Sequence, residues 1–148
     1  MKKLLILLFS LLISFNSFGL QQVLIPELNL YGEWTKFYSE EEGEVFIQKD
    51  IITKKDGSVY WWTLGNLNQP DDENGMMSFT IYHQGDCNLN RTKVIHVVLY
   101  EKPMGMGTSN QYLQDDEYVS SNEWEYTTPE TITSDLLDYV CEHFEELQ

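Results

Sequence analysis

Past Glu33 the apolar residues fall in short β-prone runs, divided by polar turns. Trp34 to Tyr38 and Glu44 to Lys49 (EVFIQK) are two such runs, separated by the charged turn Ser39 to Gly43. Asp56-Gly57 is a hairpin turn signal, and Ser58 to Leu64 (SVYWWTL) follows it. That run sets Val59, Trp61 and Thr63 against Tyr60, Trp62 and Leu64, so large groups stand on both faces. Either both faces are covered or one carries an exposed aromatic patch. Residues 66–75 (NLNQPDDENG) read as a polar loop. Met76 to His83 (MMSFTIYH) and Lys93 to Tyr100 (KVIHVVLY) are two further strands, joined through a turn that carries Gly85, Asp86 and Cys87. Lys102 to Gly107 (KPMGMG) breaks the pattern with a proline and two glycines, and Tyr112 to Tyr126 offers one more strand near Trp124 to Tyr126.

The spacing changes to helical only at the C-terminus. Leu137, Val140, Cys141 and Phe144 fall on one stripe, Thr133 or Ser134 can cap the helix, and Asp135 favours its positive end. The fold class predicted is α+β: an antiparallel sheet of roughly six strands with a C-terminal helix packed on one face.

The first residues carry a different signal. Lys2 and Lys3 precede an apolar run from Leu4 to Phe15, interrupted only by Ser10 and Ser14, and Ser17 and Gly19 supply a small-residue exit. This is the pattern of a secretory signal peptide over residues 1–19, cut after Gly19. The run is short of the roughly 20 apolar residues that span a bilayer, and nothing later approaches that length. The remaining chain divides into a loose N-terminal arm, residues 20–32, in which Pro26 prevents an uninterrupted helix, and one domain, residues 33–148. No cysteine lies near the cut to accept a lipid, so the mature chain is expected to be free of both lipid anchor and membrane span. The localisation expected is exported, periplasmic or extracellular.

Charge and cysteine content narrow the picture. Without Lys2 and Lys3 the 9 Lys plus Arg fall to 7 against 24 Asp plus Glu, a net charge of −17. Such a field repels a phosphate backbone and argues against nucleic acid as a partner. In an oxidising compartment the isolated pair Cys87 and Cys141 reads first as a disulfide, with free thiols or a catalytic cysteine as the alternatives. A bond would staple the helix to the sheet at the turn after Met76 to His83. His83, His96 and His143 have no carboxylate or second histidine at a ligand spacing, and the acid runs Asp71-Asp72-Glu73 and Asp115-Asp116-Glu117 lack the alternation and glycine of a calcium loop. No nucleophile elbow or phosphate-cradling glycine loop is present. Neither a metal, a cofactor nor catalysis is therefore expected.

The order of landmarks resembles the surface-adhesin protein E family of Gram-negative bacteria. The matching residues are Asp50 and Ile51 before the Lys54-Lys55-Asp56-Gly57 turn, Trp62 with Leu64, Ser78, Asp86-Cys87, Arg91, Tyr100, Met104-Gly105-Met106-Gly107, Trp124, Pro129 and Val140-Cys141. They span about residues 44–141. The resemblance implies a six-stranded antiparallel sheet carrying a C-terminal helix, with the two cysteines bonded. It also implies a binding role, since the type member is an outer-membrane protein that binds host matrix and serum proteins.

The function expected is therefore a secreted, non-enzymatic binding module that presents aromatics such as Trp61 or Trp62 to a protein ligand, unless those tryptophans belong to the core. The alternative is a soluble periplasmic accessory or structural protein with no host ligand. The two edges of an open sheet also allow a homodimer.

Overall fold

The computed structural model of the protein describes residues 32–113 and 123–144. The expected leader, its cut after Gly19 and the arm up to residue 31 lie outside the described residues. Among the described residues eight strands form one antiparallel sheet: β1 (Thr35–Ser39), β2 (Gly43–Ile47), β3 (Thr53–Lys55), β4 (Ser58–Leu67), β5 (Ser78–Asp86), β6 (Arg91–Lys102), β7 (Met106–Leu113) and β8 (Glu125–Tyr126). One α-helix, α1 (Ile132–Phe144), follows them. No helix among the described residues is long and apolar enough to cross a membrane.

Six strands lie side by side in the order β1-β2-β4-β5-β6-β7. The other two fill half-used edges. β2 pairs with Thr63 to Leu67 of β4, and β3 with Ser58 to Tyr60. β6 is divided in the same way, with β8 at Arg91 and Thr92 and β7 from His96 onward. β4 and β6 run for 10 and 12 residues, longer than their neighbours can match, and the leftover backbone donors and acceptors need partners. Five of the expected strands (β1, β2, β4, β5 and β6) lie on the main path; the sixth, near Trp124 to Tyr126, is the short off-path β8, and β7 takes its place on the path.

The Asp56-Gly57 signal holds. Both residues take positive φ, 51° and 82°, as a two-residue hairpin between β3 and β4 requires. β7 departs from the sequence reading, which breaks the pattern across Lys102 to Gly107. The break is one tight turn, Pro103–Gly105, with Met104 and Gly105 at positive φ (58° and 70°), and extended backbone resumes at Met106. Gly107, Ser109 and Asn110 have little strand propensity of their own. Their pairing with β6 makes the strand, so no local pattern announces it.

The helix cap is also displaced. Thr131, not Thr133 or Ser134, holds that position. Its Oγ1 accepts the Ser134 N–H at 3.3 Å and donates to the Thr128 carbonyl at 2.7 Å. Thr133 and Ser134 fall inside the first turn, where their N–H groups need a partner rather than supply one.

Both faces of the sheet are covered, which decides between the two readings of Ser58 to Leu64. On one face Leu136, Leu137 and Val140 of α1 close over Ile47, Ile52, Val59 and Trp61, and the Cys87–Cys141 disulfide ties α1 to the turn after β5. On the other, Trp62, Tyr82 and Ile95 pack with Trp34, Ile51 and Tyr60. A bulge between Tyr82 and His83 turns the extra residue, Ile95, toward this second cluster. The Pro103–Gly105 turn is anchored to the sheet by buried Ser78, whose Oγ donates to the Lys102 carbonyl at 2.6 Å and accepts the Gly105 N–H at 2.9 Å. The Met104 N–H reaches Asn66 Oδ1 at 2.9 Å.

Candidate binding surfaces

The paired tryptophans are interior. Trp61 and Trp62 are each 1% exposed, so the expectation that they present themselves to a partner is corrected. Alternation sends one to each face, and each face is closed. Trp61 stacks on His83 with ring centroids 4.9 Å apart, and His83 Nε2 lies 2.9 Å from Thr63 Oγ1. Burial pushes the His83 pKa down to about 3, so the imidazole is neutral at physiological pH. Trp62 stacks on Tyr82 at 4.8 Å and meets His96 edge-on at 5.8 Å. Burial also lowers the His96 pKa and raises that of Tyr82 to about 12. His96 is register partner to Tyr82, which puts it on the opposite face from His83 and separates the two as ligands. Among the described residues no group of three His, Cys, Asp or Glu could hold a metal ion.

Two candidate surfaces lie at opposite ends of the sheet. At one, several landmark residues converge on the β5–β6 turn. Asp86 Oδ1 accepts the N–H groups of Asn88 and Leu89 at 3.1 and 3.2 Å, and Oδ2 accepts Arg91 Nε and Nη2 at 3.1 and 3.0 Å. Desolvation pushes the Asp86 carboxyl up, but the Arg91 guanidinium and the two amides more than offset it, so the group stays ionised below its ordinary value. The guanidinium sits 4.6 Å from the Trp124 ring centroid. β8 closes the corner: Tyr126 pairs with Arg91, and Thr127 donates its N–H and Oγ1 to the Asn90 carbonyl at 2.9 and 3.2 Å. The disulfide fixes Cys87 from the other side.

On this pinned backbone Leu89 is 49% exposed and Tyr126 70% exposed. The sequence reading passed over both. A lone leucine in a polar turn (DCNLNR) was the available signal for the first; Tyr126 carried none, because its exposure depends on the pairing of β8.

The other end holds an open apolar notch of about 130 Å³, lined by Tyr38, Val45, Leu67, Phe79 and Ile132 among others. It exists because Gly65 has no side chain. A Cβ there would meet the Phe79 ring at 2.1 Å, so the ring lies over the bare backbone and leaves a hollow beside Val45, the register partner of Gly65. Glu40, Glu42 and Glu44 line the notch as well. Tyr38 donates to Glu40, and that bond, desolvation and the charges of Glu40 and Asp135 raise its pKa.

Residues 34–142 match the family Surface-adhesin protein E. The chain belongs to that family. The resemblance carried by the Asp86-Cys87, Arg91 and Met104-Gly105 landmarks is thereby confirmed. Three solved structures of protein E of Haemophilus influenzae share its fold. Two align at TM-score 0.53 and 13% identity, one a second crystal form covering 75% of this chain and 98% of that one, the other covering 76% and 96%. The third, from a non-typeable strain, aligns at TM-score 0.51 and 14% identity over 77% and 87% of the two chains. At such identity the likeness is one of fold. No curated protein matches the chain by sequence.

Proposed function

We propose that this chain is an exported, non-enzymatic binding module of the cell envelope that holds a protein ligand against the β5–β6 end of its sheet. The observation that carries this reading is the exposure of Leu89 and Tyr126 on backbone held by a disulfide, the Arg91–Asp86 ion pair and a docked strand. Binding energy at protein interfaces concentrates in a few well-supported side chains, Trp, Tyr and Arg foremost, and a site that is already rigid loses little entropy when it is occupied. Tyr126 is the register partner of Arg91, whose guanidinium lies over the Trp124 ring. Family membership supports the adhesin character, and the leader expected over residues 1–19 supplies a route out of the cytoplasm. Host matrix or serum proteins are the ligand class that follows from the resemblance.

Protease treatment of intact producing cells, with the mass of the recovered protein, tests the exported, surface-facing part. Cleavage of the chain on intact cells and a mass beginning at Leu20 with two hydrogens fewer than the dithiol are expected. Protection until the outer membrane is opened would contradict surface display and favour the periplasmic accessory role.

A further inference from the structure

We propose that the notch at the far end of the sheet takes a basic peptide segment of a second protein, with one aliphatic side chain in the hollow and flanking Lys or Arg on the acidic rim. This surface is separate from the Leu89–Tyr126 end, since the notch lies beside Gly65 and Leu67 of β4 while the β5–β6 turn lies beside Val59.

Size comes first. Pockets for drug-sized ligands run from about 300 Å³ upward, so a notch of about 130 Å³ suits a single side chain. Its floor and walls, Val45, Phe79, Leu67 and Ile132, favour an aliphatic one.

Charge then selects the flanks. Three of the lining residues are glutamates and none is cationic. Lys36 pairs with Glu44 from the side, while Glu40, Glu41 and Glu42 enter no ion pair among the described residues. A second acidic segment is tied to this rim. Asn68 donates its N–H to the Glu42 carbonyl at 3.1 Å and its side-chain amide to the Glu41 carbonyl at 2.8 Å, which brings the loop bearing Asp71, Asp72 and Glu73 alongside. The start of α1 contributes about half a positive charge, which Asp135 in its first turn offsets.

The same charges identify the occupant as foreign. Every Lys and Arg after residue 19 lies within the described residues, and 20–31, 114–122 and 145–148 contain carboxylates but no cation. A second copy of the chain brings a net charge of −17 to a negative rim, counting from residue 20. That repulsion favours a basic segment of another protein over the exposed Lys54-Lys55 of a second copy.

The test uses the mature chain with two labelled peptides of equal charge, one alternating Lys and Leu, the other Lys and Ser. Titration at low salt should show saturable binding of the Lys/Leu peptide, with amide shifts concentrated at Val45, Gly65, Leu67 and Phe79. The Lys/Ser peptide should bind about tenfold more weakly or worse, as expected when an apolar anchor is lost. Leu67→Trp, which fills the notch from a residue outside the main core cluster, and the pair Glu40→Gln with Glu42→Gln should each weaken the Lys/Leu peptide about tenfold at unchanged melting temperature. Equal binding of the two peptides, or indifference to Leu67→Trp, would reduce the effect to diffuse charge attraction and overturn the proposal. Shifts that follow protein concentration rather than peptide would assign the notch to self-association and overturn it too.

Discussion

The Cys87–Cys141 bond closes a loop across 54 positions of sequence and joins two elements that otherwise meet only through side-chain packing. Replacing either cysteine by serine restores to the unfolded chain the freedom that the loop removes. For about 54 residues the chain-entropy estimate is roughly 14 cal/mol/K, or about 4 kcal/mol at 25 °C. A domain of the size matched here, residues 34–142, unfolds with an entropy of roughly 0.2 kcal/mol/K, so the melting temperature should fall by about 15 °C or more. Differential scanning calorimetry of the wild type, Cys87→Ser, Cys141→Ser and the double variant measures it. Both single variants should fall by similar amounts and the double variant by little more, because all three remove one bond. Melting temperatures within a few degrees of wild type would refute the argument that the staple holds α1 on the sheet.

Other consequences follow from individual contacts. Ser78→Ala strips the buried Gly105 N–H and Lys102 carbonyl of their partner, at a cost of about 1–3 kcal/mol in chemical denaturation. A loss below about 0.5 kcal/mol would show that the Pro103–Gly105 turn is held by other means. Gly65→Ala forces the Phe79 ring away from a Cβ 2.1 Å off and should destabilise by about 1–3 kcal/mol, whereas Gly65→Ala in a Phe79→Ala background should cost less. Burial lowers the His83 pKa from 6.5 to about 3, so the unfolded chain takes up a proton in that interval and the folded chain does not. Stability is then lost as pH falls below 6.5, at up to about 1.4 kcal/mol per unit. Between pH 6.5 and about 4.5 the wild type should lose roughly 2–3 kcal/mol more than His83→Gln, and parallel pH profiles of the two would contradict a neutral buried histidine.

The parts of the fold written into local sequence were legible: the Asp56-Gly57 hairpin, the long β-prone runs of β4 to β6, and the stripe from Leu137 to Phe144. Each depends on residues close together in the chain. The cysteine pairing was legible because the composition offered each cysteine one partner. What escaped depends on contacts between distant segments. β7 is made a strand by the β6 ladder, and Thr131 is the cap only because the helix begins one residue before Thr133. The burial of both tryptophans required knowing that α1 closes over Trp61 on one face and that Trp34 and Ile51 pack on the Trp62 cluster on the other. Both candidate surfaces share this character, since the β6–β8 pairing sets Tyr126 beside Arg91, two residues along from Leu89, and the notch arises where Val45, Gly65 and Phe79 fall in register.

Binding by the β5–β6 end is the central claim, and a titration of the purified mature domain against individual matrix and serum proteins at physiological salt tests it most directly. Wild type and the variant carrying Leu89→Ser with Tyr126→Ser would be compared at matched stability. The account predicts saturable binding to at least one ligand, weakened about a hundredfold in the variant, the scale for losing two exposed apolar anchors from a rigid interface. Saturable binding that the variant leaves unchanged, or no saturable binding to any of them, would contradict it.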